Sequence, residues 1–266
     1  MENQTGQKHN VFLLNAVNNR NLIFIALGLR FIMGLGNFIP DDKNIYIYLF
    51  LYEALTYILI CSLVVLNSDN LSQYFLDRPA LILFMLGGTL LRTTIIEIPI
   101  CLEMIPFWGA TIWLFFYLKK RQIPLNKPMP NWWLWGMLIG VLWGLSILII
   151  NINRASITGN FNALLIPILV DMMHQTSHSS IMEEPLFRGF LWGYLNSRGW
   201  KNLHIWIFQA FLFWLVHISY ISRPFTFWIA APLAGLLLGA LAWKTKSFAA
   251  PILAHTIFNV IIQVIK

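Results

Sequence analysis

Long apolar runs separated by short polar segments cover most of the chain and predict membrane-spanning helices. The runs lie at roughly 22–39, 45–66, 80–98, 99–118, 132–152, 182–197, 204–221, 225–243 and 248–265. A helix needs about 20 mainly apolar residues to cross a bilayer, and most of these runs approach that length. Polar residues within 92–99 interrupt the third and fourth runs, so that stretch also fits one kinked helix and a surface segment. The short apolar stretch 162–173 is interpreted as re-entrant or as an extension of the following helix.

The composition agrees with a protein built of membrane-spanning helices. Of the 266 residues, 58% are hydrophobic and 11% are charged, whereas a soluble domain carries about 25% charged residues. A transmembrane barrel is excluded, because it would show short alternating strands instead of long apolar runs. We therefore predict an all-α fold, a polytopic transmembrane helical bundle of about eight helices.

The positive charges lie mainly in the segments between apolar runs. The formal net charge is +7, and positive residues in short loops mark the cytoplasmic side of a membrane protein. This placement argues against nucleic-acid binding. The segment 119–131 combines several positive charges with prolines, and it predicts a boundary between N-terminal transmembrane helices of uncertain role, 1–128, and a C-terminal domain, 129–266.

Three polar islands interrupt the C-terminal runs, and the first is the segment EEPLFRG at 183–189. Proline is favoured in the first turn of a helix, so the two carboxylates are expected at or just before a helix start. Arg188 follows Glu184 by four residues and is expected to form an ion pair with it. Glu183 is then the freer carboxylate and is available to a water molecule. Taken alone, the island is equally compatible with a cluster that only locks helices together.

The second and third islands supply two imidazoles and an amide. His217 ends the segment FWLVH, and His255 and Asn259 lie four residues apart on one helical face. Each island alone is compatible with an ordinary helix-packing contact. Together they supply the groups that amide hydrolysis requires: a Glu/His pair to activate water and a His/Asn pair to stabilise an oxyanion. The same residues could instead bind a divalent metal such as zinc, which would generate hydroxide directly.

The three islands resemble the motifs of the CAAX-protease and bacteriocin-processing family of intramembrane endopeptidases, also called the Abi family. The motifs are EE-P-L-F-R-G, F-x-x-x-H and H-x-x-x-N, and the resemblance covers about residues 130–266. It implies that Glu183 and His217 activate water and that His255 and Asn259 stabilise the oxyanion. It further implies that Glu184 and Arg188 are a supporting pair, within a polar catalytic cavity among the C-terminal helices.

Other polar residues of the apolar runs receive no catalytic role from the sequence. The charged residues that fall within or beside the apolar runs of the N-terminal half include Arg30, Glu53, Arg92, Glu97 and Glu103, and a structural role is expected for Arg92 and Glu97. Asp171, His174 and His178 precede the first motif in a polar context, which favours a solvated loop over a metal cluster. Gly235 and Gly239 predict a close helix–helix contact.

These observations predict an intramembrane endopeptidase of glutamate/histidine type that cuts a peptide near the membrane surface, such as a prenylated or leader peptide. The expected partners are the lipid bilayer and a peptide or membrane-protein substrate, and the expected location is a bacterial plasma membrane with several spans. A metalloprotease and metal-free water activation are both left open. One alternative is a non-proteolytic regulator or immunity-type binding protein of the same fold. A small-solute transporter is a weaker alternative, because broken helices repeated in both halves are not found.

Overall fold

The computed structural model describes residues 19–35, 45–91, 100–123, 125, 127–150 and 161–264, and these residues contain no β-strand. Their helices, in chain order, are α1 (19–35), α2 (Ile45–Leu66), α3 (Arg78–Leu90), α4 (Ile100–Arg121), α5 (Trp132–Ile150), α6 (Phe161–His178), α7 (Trp192–Ser197), α8 (Asn202–Leu215), α9 (Ala231–Thr245) and α10 (Ala249–Val264). The predicted all-α bundle is confirmed.

Two of the described helices are long and apolar enough to cross a membrane. They are Ile47–Leu66 in α2 and Thr226–Thr245, which joins one wide helical turn to α9. Other apolar helices are shorter: Arg78–Leu90, Trp132–Ile147, Asn202–Leu215 and Ala249–Ile262. Large apolar side chains such as Ile112 and Phe116 are more than half exposed, as expected for a surface that faces lipid.

Several helix boundaries differ from those that the sequence predicts. The helix predicted at 80–98 begins at Arg78 and ends at Leu90. Residues 92–99, including Arg92 and Glu97, lie outside the described ones. The helix begins at Arg78 because Asp77 caps it: its carboxylate accepts a hydrogen bond of 2.9 Å from the Ala80 backbone N–H. The short stretch 162–173 belongs to α6, which continues without a break towards α7, so the extension interpretation is confirmed.

Glycines bring α5 and α10 into close contact. Gly136, Gly140 and Gly144 repeat every four residues and lie on one face of α5. A Cβ atom on Gly140 would lie 2.8 Å from the carbonyl oxygen of Ala254, so the two backbones approach closely only without a side chain there. Ala254 directly precedes His255, and this contact therefore sets the position of one site residue.

The predicted packing role of Gly235 and Gly239 is confirmed. Both residues lie on α9 and face α8, where a Cβ on Gly235 would lie 2.9 Å from the Ala210 carbonyl oxygen. The fully buried Gln209 amide donates hydrogen bonds of 3.0 Å to the carbonyl oxygens of Gly235 and Trp206. α8 is thereby fixed against α9, and His217 lies two residues beyond the last residue of α8.

We expect Gly140→Leu to destabilise the protein by about 1–3 kcal/mol, because the new side chain would overpack against the α10 backbone. The measurement is thermal unfolding of the purified protein in detergent. Gly109→Leu is the matched control, since a Cβ on Gly109 of α4 meets no heavy atom within 4 Å. Equal melting temperatures for the two variants would contradict the close α5–α10 contact.

Candidate active site

The carboxylate pair lies in the middle of a continuous helix, not at a helix start. α6 runs into two wider turns, Ser179–Glu183 and Pro185–Leu191, and then into α7. The Glu184 backbone N–H bonds to the carbonyl oxygen of Ser179, five residues earlier, as in a π-helix. Pro185 lacks an N–H and its ring crowds the carbonyl of the preceding turn, and here the helix widens around it instead of ending. The expectation of a helix start at Pro185 is therefore wrong.

Glu184 is fully buried and has a partner at each carboxylate oxygen. Its Oε2 lies 3.3 Å from Nε of Arg188, which confirms the predicted ion pair four residues apart. Its Oε1 accepts a hydrogen bond of 2.9 Å from Nδ1 of His255 on α10. Neither Glu184 nor Arg188 is exposed to solvent, and the bond from His255 to Glu184 ties the wide helical segment to α10 inside the bundle.

The aromatic ring of Phe213 on α8 packs against the polar side chains of the site. The Arg188 guanidinium carbon lies 4.2 Å from the centre of the Phe213 ring, a cation–π distance. The ring of His217 lies 4.5 Å from the same ring, and the ring of His255 lies 6.2 Å from it. Phe213 thus contacts a residue from each of the three sequence motifs.

His217 lies just beyond the end of α8 and is held by its own motif. Its Nδ1 donates a hydrogen bond of 2.6 Å to the carbonyl oxygen of Phe213, four residues earlier. Since a carbonyl can only accept, the proton is on Nδ1 and the Nε2 lone pair is free in the neutral ring. Nε2 lies 3.8 Å from Oε1 of Glu183. The two atoms are close enough for a single water molecule to contact both.

Glu183 is buried to 2% exposure and lies among four basic side chains. Its Oε1 forms an ion pair with Nη2 of Arg30 on α1. Nε2 of His178 lies 3.7 Å from Oε1, and Nδ1 of His255 lies 3.7 Å from Oε2. Glu183, predicted as the freer of the two carboxylates, is therefore also ion-paired, although its Oε2 has no hydrogen-bond partner among the described residues.

Asn259 lies one helical turn after His255 but has a different partner. Its Nδ2 donates a hydrogen bond of 2.9 Å to Oε1 of Gln175 on α6. Gln175 in turn donates to Oδ1 of Asp171 at 3.4 Å. The segment predicted as a solvated loop is therefore helical, and it forms one side of the site.

Arg30 and His178 are the site residues that the sequence analysis missed. The sequence distance between Arg30 and Glu183 is 153 residues, so no local pattern connects them; the one available signal was a lone cation inside an apolar run. His178 precedes Glu183 by five residues, a spacing that places them on different faces of an α-helix. The wide turn between them brings the pair together.

The donor atoms of Glu183, Glu184 and His255 fit a divalent cation in type and number. One ligand atom from each lies within 4.8 Å of the others, and one imidazole with two carboxylates is a donor set that zinc accepts. A bound ion would lower the pKa of a water molecule and polarise the substrate carbonyl. Both carboxylates, however, already share their charge with Arg30 and Arg188.

Comparison with known families supports the interpretation of the motifs. Residues 166–261 match the family model described as type II CAAX prenyl endopeptidase Rce1-like. The matched segment contains all six motif residues, and the resemblance stated from the sequence is confirmed. The match supports a CAAX-type intramembrane protease in general terms. No curated protein and no solved structure matches the chain.

We expect Arg188→Met to destabilise the protein by about 3–5 kcal/mol, because it leaves the buried Glu184 carboxylate without its cation. The double variant Glu184→Gln with Arg188→Met should lose less stability than the sum of the two single variants. Thermal unfolding in detergent measures all three. Arg198→Met is the control, since Arg198 is exposed. Additive losses would show that the two side chains do not act as a pair.

Proposed function

We propose that the protein is an intramembrane endopeptidase of glutamate/histidine type. Glu183 and His217 are the groups that hold and deprotonate a water molecule, which then attacks the peptide carbonyl carbon. The observation that carries the proposal is the Glu183 carboxylate at 3.8 Å from the free Nε2 of His217. Such a pair is suited to general base catalysis.

The exposure of the site residues supports access for water and a peptide. The side chains of Glu183 and Glu184 are 2% and 0% exposed, whereas those of His217 and His178 are 14% and 32% exposed. The imidazoles therefore lie at the accessible edge of the cluster, with the carboxylates behind them. A water molecule that enters at this edge meets His217 and Glu183 together.

In this proposal the oxyanion is stabilised by His255 and Asn259. The hydrogen bond from Nδ1 of His255 to Glu184 fixes the orientation of the imidazole, and Nε2 donates to the oxyanion once it carries the second ring proton. An amide nitrogen carries two N–H groups, so Asn259 retains one donor beside the bond to Gln175. Glu184 and Arg188 contact no reacting atom. Glu184 holds His255 through its hydrogen bond, and Arg188 forms the ion pair with Glu184.

The charges of the site support water activation without a metal. The two buried carboxylates face two guanidinium groups, Arg30 and Arg188, so their negative charge is already compensated. A divalent ion at Glu183, Glu184 and His255 would add two positive charges in a medium where uncompensated charge is costly. We therefore propose metal-free activation, with chelation as the test.

The substrate proposed is a peptide or membrane-protein segment, prenylated or of the leader type, cut near the membrane surface. The bilayer is the expected partner, and a multi-pass arrangement in a bacterial plasma membrane is the proposed location. A non-proteolytic regulator of the same fold is the second candidate. The ion pair of each carboxylate with a guanidinium favours it, since such a cluster could also serve only to lock helices.

We expect the purified protein in detergent to cleave members of a fluorogenic peptide panel, with and without prenyl groups. Glu183→Gln and His217→Gln should each lower kcat on the order of 10²–10⁴-fold, the usual contribution of general base catalysis. His204→Gln is the matched control, because His204 lies exposed near the start of the same helix α8. Its cleavage rate should equal that of the wild type.

The same assay with a metal chelator distinguishes metal-free from metal-dependent water activation. Retention of activity with chelator agrees with metal-free activation, and a loss that added zinc reverses contradicts it. Failure of the wild type to cleave any peptide, with all variants equally stable, would favour the regulator.

A further inference from the structure

Arg30 lies outside the segment that matches the protease family, yet it contacts the carboxylate of Glu183, which lies within that segment. The matched segment is 166–261, whereas Arg30 lies on α1. Its Nη2 contacts Oε1 of Glu183, and its Nη1 lies 3.5 Å from the hydroxyl of Tyr52 on α2. The side chain of Arg30 is 13% exposed and that of Glu183 is 2% exposed. The contact is therefore a nearly buried ion pair between the two halves of the chain.

Each of the two carboxylates has its own arginine partner. Arg188 lies on the Glu184 side, with its Nε 3.3 Å from Oε2 of Glu184. The imidazoles near Glu183 are at 3.7 and 3.8 Å, beyond hydrogen-bond distance. Arg30 is thus the side chain that holds Oε1 of Glu183 by direct contact within the described residues. A carboxylate so held cannot rotate freely about its last torsion, which fixes where Oε2 lies.

α1 also packs closely against the chain beside His217, the second residue of the proposed water-activating pair. A Cβ atom on Gly34 would collide with the carbonyl oxygen of Val216 and lie 3.7 Å from the Ile218 side chain. Val216 and Ile218 flank His217 in the sequence. One helix therefore contacts Glu183 through Arg30 and, one turn later, the backbone that carries His217.

We propose that Arg30 is a positioning residue for hydrolysis, and that α1 completes a site shared by the two halves of the chain. Its guanidinium fixes the Glu183 carboxylate relative to His217, so that a water molecule lies between them in the geometry of attack. The inference rests on the proposed function. It also gives the N-terminal half a role in the reaction, which neither its sequence nor the family match supplies.

Kinetics of Arg30→Ala with a cleavable peptide test this inference. We expect kcat to fall on the order of 10²-fold, the loss that a misplaced reacting group can cause, while KM stays unchanged. Added guanidinium ion at millimolar concentration should restore part of kcat, because it can occupy the space and charge of the missing group. Arg30→Lys, which keeps a positive charge, should retain more activity than Arg30→Ala. Arg20→Ala is the control, since Arg20 is exposed on the same helix.

A second pair of variants tests the position of α1 without changing a charge. Gly34→Leu should lower kcat by pushing α1 away from Val216, whereas Gly28→Leu should not, since a Cβ on Gly28 meets no heavy atom within 4 Å. Melting temperatures are measured for every variant. They show whether any loss of activity reflects an unfolded protein.

The outcomes separate this inference from the proposed function. Cleavage by the wild type and by Arg30→Ala at the same rate would overturn the role of Arg30 and leave the protease intact. A loss that neither guanidinium nor lysine restores would assign Arg30 a structural role only and overturn the inference. If Arg30→Ala does not fold, Gly34→Leu decides, and wild-type kcat in that variant would overturn the inference. No cleavage by the wild type contradicts the proposed function and the inference together.

Discussion

The compensation of two buried carboxylates is the constraint on which the rest of the site depends. An ionised carboxylate without a partner costs several kcal/mol in an apolar interior, and Glu183 and Glu184 are adjacent in the chain. The structure assigns each a guanidinium from a different direction: Arg188 from the same helix and Arg30 from α1. The remaining basic groups near Glu183 are imidazoles. The site can therefore retain two acids inside a helical bundle and still leave His217 with a free nitrogen.

The wide helical turns convert this pair of neighbours into two different groups. In a regular α-helix, adjacent residues point about 100° apart, and Pro185 would disrupt the ladder of hydrogen bonds. Widening resolves the clash and changes which residues are neighbours across a turn. It brings His178 to Glu183 while Arg188 stays beside Glu184. Wide turns of this kind are frequent at functional sites, and here the reason is geometric: one helix presents two acids to two sets of partners.

The part of the site that follows helical periodicity could be predicted from the sequence, and the part that depends on distant contacts could not. The spacing of Glu184 and Arg188 predicted their ion pair, and the apolar runs predicted the all-α bundle. The same spacing rule placed His255 with Asn259, but the structure gives them separate partners, Glu184 and Gln175. Side chains from other helices compete for each polar group, and a single sequence does not show which helix lies nearest. Arg30 is the extreme case, since its partner lies 153 residues away.

Helix packing and chemistry are coupled in this bundle because the site residues sit at its closest contacts. Gly140 meets α10 at the residue before His255, and Gly34 meets the chain at the residue before His217. Small residues allow backbones to approach where larger side chains would hold them apart. A backbone shift at these glycine contacts would therefore also displace the imidazoles of His217 and His255. The C-terminal helices thus carry the residues proposed to react, while α5 contacts the backbone beside His255 and α1 contacts the backbone beside His217.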